Sequence, residues 1–334
     1  MRYVKLLVLL VAVGVVGWAE GITQVDQAGR TVTVPTPVAR VVSAYGIATW
    51  YVYALGKADV LIGARYVGQL PDDPRSRAVL GCLDPDLEAK ILIGEPTVEE
   101  VVARAPDLVL AGAAKHRQLA ELLAELGVPC LLYAPETFAG VREATVLTGR
   151  ALGVGEKAAA LVAFYDQILF SVAAAIADIP EAARPRACFL GTERLRVASG
   201  DMYQARLIEL AGGIPVSRDL RGSWQNVNLE QMLLWNPEVI FIPSYGNVRR
   251  EDILGDPDWQ AIAAVKAGRV WKLPRLVAPW DVPVPESALG LLWMADLLHP
   301  GRVGLDVVAE VSRFYAEFYG CNLTPEEWAA FLGR

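Results

Sequence analysis

Residues 156–177 constrain this chain more than any other stretch. Within them Ala158, Leu161, Val162, Tyr165, Ile168, Leu169, Val172 and Ile176 recur at i, i+3, i+4 and i+7, the spacing of one helical face. The pattern predicts a single amphipathic helix, about 33 Å long at about 1.5 Å per residue. Such a rod can run along two lobes as a stiff connector, and Pro180 and Pro185 then punctuate entry into the second.

On either side of this helix, short β-rich runs alternate with helical stretches. Strands are expected before it at 40–45, 60–65, 108–112 and 129–134, and after it at 186–190, 197–199, 239–243 and 269–273. Residues 118–126 and 203–211 have helical spacing and run into glycine, as helix C-termini often do. This alternation belongs to a βα-wound sheet rather than a sandwich or bundle, so the fold class is α/β.

A repeat links the two halves. Thr97-Val98-Glu99 leads to Val101-Val102 and then Ala105-Pro106-Asp107-Leu108-Val109-Leu110, while Asn228-Leu229-Glu230 leads to Leu233-Leu234 and then Asn236-Pro237-Glu238-Val239-Ile240-Phe241. The interval from glutamate to proline is the same in both. Each unit reads as a polar N-cap, a short helix opening with an acid, a proline turn and a buried parallel strand. Two lobes of similar construction follow: an N-terminal lobe at 20–153, the connecting helix at 154–179, and a C-terminal lobe with terminal helices at 180–334.

The first residues read as an export signal. Arg2 and Lys5 precede an apolar run at 6–18, and Gly17-Trp18-Ala19 offers a small-residue cleavage site, which makes 1–19 a removable signal peptide. The run is shorter than the roughly 20 apolar residues of a spanning helix. No cysteine near the site could take an acyl anchor, so a free periplasmic protein is expected. No later segment reads as a membrane span, and 54% hydrophobic residues is ample for two cores. A net charge of -7 argues against a nucleic-acid partner.

Cys82, Cys130, Cys188 and Cys321 show no C-x-x-C spacing, which removes zinc-ribbon and thioredoxin-like chemistry. Cys130 and Cys188 fall inside apolar strand runs and are expected to be buried and unpaired. The two histidines, His116 and His299, are too few to hold a bare zinc or manganese ion, so no metal site is expected. There is no G-x-S-x-G elbow, P-loop, H-E-x-x-H or G-x-G-x-x-G, and Ser199 has no visible base partner, so no catalytic residues are assigned.

Several short motifs recur in a telling order: Asp26-Gln27-Ala28-Gly29-Arg30 with Val32 and Val34-Pro35, Arg40-Val41-Val42, Pro106-Asp107-Leu108-Val109 and Glu209-Leu210-Ala211-Gly212-Gly213. Trp259, Ala264-Val265-Lys266, Gly268-Arg269-Val270-Trp271 and the stretch at 285–300 follow. In this order they resemble the substrate-binding proteins of ABC transporters in the helical-backbone class, which carry ferric siderophores, haem, cobalamin and related complexes. The resemblance covers nearly the whole mature chain. It implies two Rossmann-like lobes joined by one rigid helix, a ligand in the cleft between them, and modest closure on binding. It also implies a partner, a dimeric ABC permease in the cytoplasmic membrane, contacted through Glu99 and Glu230, with the binding protein acting as a monomer.

Ligand contacts in such sheets lie on loops beyond the carboxyl ends of the strands. That rule nominates Tyr45, Arg65, Tyr66 and His116 in the first lobe, and Tyr203, Arg221, Trp224, Tyr245 and Trp280 in the second. Aromatic rings supply flat apolar surface, and arginine supplies a fork for carboxylate, catecholate or oxyanion groups. Trp259 and Trp271 are read as core. A ferric siderophore is the expected ligand, with molybdate or tungstate, and cobalamin or haem, as alternatives; no cofactor is expected. Haem-binding relatives commonly place a tyrosine after a glycine where this chain has Gly81-Cys82, which counts against haem, and the segment at 83–93 looks longer than usual.

Overall fold

The computed structural model describes residues 21–66 and 73–333. The export signal expected at 1–19 lies outside the described residues. Two four-stranded parallel sheets form the lobes. The first has the spatial order Leu61–Ala64, Val41–Ser43, Leu108–Gly112, Cys130–Tyr133; the second runs Val270–Lys272, Val239–Ile242, Arg186–Phe189, Ile214–Pro215.

Period-two alternation decides what each strand buries. Val41, Leu108, Leu110, Leu131 and Tyr133 face one core shared by both lobes, whereas Val42, Val109, Ala111, Cys130 and Leu132 face a separate layer with Ala120 and Leu123 of the helix Arg117–Glu125. The second sheet does the same: Phe189, Val239 and Phe241 join the shared core, and Cys188, Ile240 and Ile242 pack outward with Met232, Trp259 and Ile262. Cys130 and Cys188 therefore sit in the outward layers of the two sheets, where burial pushes both thiols up to about 12. All four cysteines are unpaired.

The connecting helix spans Gly155–Ile176 and buries Ala158, Leu161, Phe164, Tyr165, Ile168, Val172 and Ile176. It crosses the helix Phe138–Ala151 where Gly149 faces Ala158; a Cβ on Gly149 would lie 2.3 Å from that of Ala158. Contrary to the expectation that no later segment is apolar enough to cross a bilayer, this helix meets that criterion, with a hydropathy of 1.8. Much of that value comes from alanine. Ala159, Ala160, Ala163, Ala173 and Ala174 line its exposed side, where they favour helix without needing burial.

The repeat reaches down to the backbone. Thr97 and Asn228 cap the helices Val98–Val102 and Leu229–Trp235 through their side chains. Ala105 and Asn236, each immediately before the proline, are the only non-glycine residues of positive φ among the described residues, at 45° and 42°.

One expected strand needs correcting. The strand expected at 197–199 is the two-residue Arg196–Val197, which pairs antiparallel with Gln225–Asn226 outside the main sheet; Ile214–Pro215 supplies the fourth parallel strand instead. At the N-terminus, Gly21–Val25 and Thr31–Pro35 form an antiparallel hairpin. Its turn is the Asp26 motif, closed by Gly29 at φ +79°.

Candidate ligand-binding cleft

In each sheet the chain reverses its winding direction beside a central strand, which opens a crevice at the strand ends. In the first lobe this point lies between Val41–Ser43 and Leu108–Gly112, and in the second between Arg186–Phe189 and Val239–Ile242. Tyr45 and His116 occupy the first, with ring centroids 6.4 Å apart, and Tyr245 follows the second.

A ring lies against a strand-end glycine in both lobes. Tyr45 packs so closely on Gly112 that a Cβ there would be 3.0 Å from the ring, and Trp224 packs at the same 3.0 Å against the Cβ position of Gly191. A Cβ at either position would make the ring give way by a few tenths of an ångström. The Tyr45 hydroxyl donates to Glu136 Oε1 at 3.3 Å. Desolvation raises the Glu136 carboxyl above its ordinary value, partly offset by that bond.

Arg65 and His116 converge on Glu95. Arg65 Nη1 is 2.5 Å from Glu95 Oε1, and His116 Nε2 is 2.8 Å from Oε2. The Gly112 N–H donates to His116 Nδ1 at 2.9 Å, which places the imidazole proton on Nε2, facing the carboxylate. Hydrogen bonding by Arg65, then by His116, lowers the Glu95 carboxyl to about 2. His116 lies in the loop after the strand Leu108–Gly112, at the residue before the helix Arg117–Glu125, and it is buried rather than solvated.

Aromatic side chains make the floor between the lobes. Phe138 stacks on Tyr203 at 5.2 Å and 6°, and Tyr203 donates to Ser287 Oγ at 2.8 Å beside Tyr165. The Tyr51 hydroxyl donates across to Pro283 O at 2.9 Å. Tyr203 is thus buried beneath the crevice as a lobe-to-lobe contact, a correction to its place among the ligand contacts. Trp280 needs the same correction. It is fully buried, donates its indole N–H to the Tyr315 hydroxyl at 3.0 Å and meets Phe331 edge-on, because residues 273–284 run through the core rather than over the surface.

Tyr66 leans on Trp50, and its hydroxyl bonds to that of Tyr53, with desolvation pushing it up to about 12. Arg221 is exposed and paired with Asp201 at 3.3 Å, next to the half-buried Trp224. Tyr245 donates to Asp281 Oδ2 at 2.8 Å, which ties the rim of the second lobe to a buried ionic group. In that group burial raises Asp281 to about 6 and Glu286 to about 7, and lowers Arg275 to about 10.

Glu95, Glu136, Arg275, Asp281 and Glu286 were not among the sequence candidates. Glu136 follows the strand Cys130–Tyr133 and obeys the same strand-end rule, so it was accessible to that reasoning. Asp281 and Glu286 lie in an apolar, proline-rich run that gives no periodic signal.

A depression of about 750 Å³ lies beside the second crevice, bordered by Glu193, Arg194, Glu251, Asp252 and Asp256. Its four carboxylates stand against two arginines, Arg194 paired with Asp256 and Arg249 paired with Asp252, which leaves an excess of negative charge that disfavours an anion there, whereas the first lobe brings together Arg65 and His116, both on Glu95, and Tyr45, on Glu136. Among the described residues no three histidine, cysteine or carboxylate side chains converge as ligands for a bare metal ion.

Comparison with known proteins agrees with this architecture. A molybdate-binding protein, MolA of Haemophilus influenzae, is 34% identical over 130 residues, 38% of this chain and 37% of its own length. A cobalamin-binding protein of Halobacterium salinarum is 26% identical over 223 residues, 66% of this chain and 58% of its own. The chain thus spans less than two thirds of either relative. A periplasmic solute-binding protein of Veillonella parvula superposes with a TM-score of 0.82 at 26% identity, over 94% of this chain and 97% of that one. The family described as periplasmic binding protein matches residues 51–276, well over half of the sequence. With two sheets wound to face one another across an aromatic floor and that match along most of its length, the chain belongs to the periplasmic binding protein family.

Proposed function

We propose that the ligand is an oxygen-rich anion, an oxyanion of the molybdate type, held between the lobes and passed to a permease of two subunits. The convergence of Arg65, His116 and Tyr45 at the crevice of the first lobe carries this reading. A guanidinium fork and an imidazole N–H give directed donors to a compact anion, with the Tyr45 ring, whose hydroxyl donates to Glu136, beside them. The similarity to a molybdate-binding relative supports it.

An anionic ferric siderophore is the second reading. Trp224 beside Arg221, on the opposite lobe, favours it by offering a flat apolar face next to a cation. Calorimetric titration with molybdate, tungstate and a ferric siderophore tests both. Arg65→Gln is expected to weaken the bound anion by about 10- to 100-fold, the range for a hydrogen bond to a charged group. Unchanged affinity would rule out Arg65 as the anion anchor.

Glu99 and Glu230 are proposed as the permease contacts. Each is exposed at the second position of its helix, and in the first lobe it is Glu100, not Glu99, that closes the capping box with Thr97. A Glu99→Arg, Glu230→Arg double variant should lose uptake in a reconstituted transporter while keeping ligand affinity and melting temperature. Wild-type uptake would sink the assignment. Residues 1–19 are proposed as the export signal, and the protein as a monomer.

A further inference from the structure

The donors assigned to the ligand already grip a carboxylate of the chain itself. Both oxygens of Glu95 are held, one by Arg65 and one by His116, and these two donors come from the ends of different strands. The backbone that carries Arg65 and the ring of His116 are anchored. Arg65 N donates to Ser43 O at 2.9 Å, Arg65 O accepts from Thr49 Oγ1 at 2.6 Å, and His116 is locked by the Gly112 N–H. Glu95 has no such frame: it follows Gly94, at φ +75°, in a turn where the neighbouring Ile93 is 93% exposed, and its own side chain is 55% exposed against 7% for His116.

Two donors from different strand ends, meeting on one exposed carboxylate of a turn, have the arrangement of a binding site filled by a tethered surrogate. We propose that Glu95 is an internal competitor: its carboxylate occupies the position in which Arg65 and His116 bind an oxyanion of the ligand, and the ligand displaces it. The inference rests on the cleft reading above and extends it to specificity. A tethered carboxylate acts at millimolar effective concentration or above. Singly charged anions and neutral ligands gain too little from Arg65 to displace it, whereas a dianion with several acceptor oxygens gains more. Glu95 thereby sets a threshold of charge for entry.

The test is calorimetric titration of molybdate and of acetate into the wild type, Glu95→Gln and Arg65→Gln. Glutamine keeps the shape of the exposed side chain and removes its charge, so the fold is retained. Glu95→Gln should tighten molybdate by about five- to tenfold, since the fraction of protein with a free donor pair rises, and should allow acetate to bind measurably. Arg65→Gln should lose molybdate. Unchanged or weaker molybdate binding in Glu95→Gln, with loss in Arg65→Gln, overturns the competitor role and leaves the anion site standing. Molybdate binding that responds to neither substitution overturns both. If neither wild type nor Glu95→Gln binds either anion, both are likewise overturned.

Discussion

Asp26 joins the N-terminal hairpin to the first sheet through a single side chain. Its carboxylate is fully buried and accepts five hydrogen bonds: Oδ1 from the N–H groups of Ala28 and Arg30 at 3.0 and 2.9 Å, and Oδ2 from Arg30 Nε and Nη2 at 3.0 and 2.7 Å and from Leu132 N at 3.1 Å. The carboxylate thereby ties the hairpin turn to the strand Cys130–Tyr133, whose end carries Glu136. Asp26→Ala strands three backbone donors and removes the partner of Arg30, whose own side chain is 27% exposed and also donates to Cys130 O at 2.6 Å. Breaking a buried pair costs about 3–5 kcal/mol. The partial exposure of Arg30 and its second acceptor keep the expected loss near the lower end, about 3 kcal/mol. Asp26→Asn keeps one acceptor oxygen but turns an N–H₂ toward other donors, so about half that loss is expected. Urea denaturation of the three proteins measures both values. A loss below about 1 kcal/mol for Asp26→Ala would refute the claim that this carboxylate anchors the first lobe.

Two further outcomes follow from the buried groups. The folded values of Asp281 and Glu286, about 6 and about 7, lie above those of the unfolded chain. The native state thus holds more protons, and stability falls as pH rises from about 4 to about 7; Glu286→Gln should narrow the gap in melting temperature between about pH 5 and pH 8, and an unchanged gap would contradict this. Trp224→Phe should abolish the fluorescence change on ligand binding, whereas Trp280→Phe should leave it intact and lower stability by about 1–2 kcal/mol through its lost bond to Tyr315; a signal that follows Trp280 instead would show the cleft is misplaced.

The fold was legible because its parts are local and periodic. The connecting helix, expected at 156–177, is found at Gly155–Ile176, and the strand Leu108–Gly112 falls where its apolar run stands. The repeat was readable down to its caps. Its positive-φ residues were not, since nothing in Ala105 as a residue type asks for that conformation. Within the site, the strand-end rule brought Tyr45, Arg65 and His116 to one crevice, because it rests on topology that the strand order already contains. It failed for Trp280, whose prolines read as a surface turn although residues 273–284 pass through the core. It also missed Glu95, which reaches the crevice from a turn after neither strand; only the three-dimensional meeting of Arg65 and His116 reveals it.

The central claim, that an oxygen-rich anion is held by Arg65 between the lobes, is tested most directly by native mass spectrometry. The protein and its Arg65→Gln variant would be offered molybdate, a ferric siderophore, haem, cobalamin and zinc ions in competition. The account predicts that the wild type retains one anionic ligand, molybdate foremost, and that the variant loses it. Retention of bare zinc, or of the same ligand equally by both proteins, would contradict it.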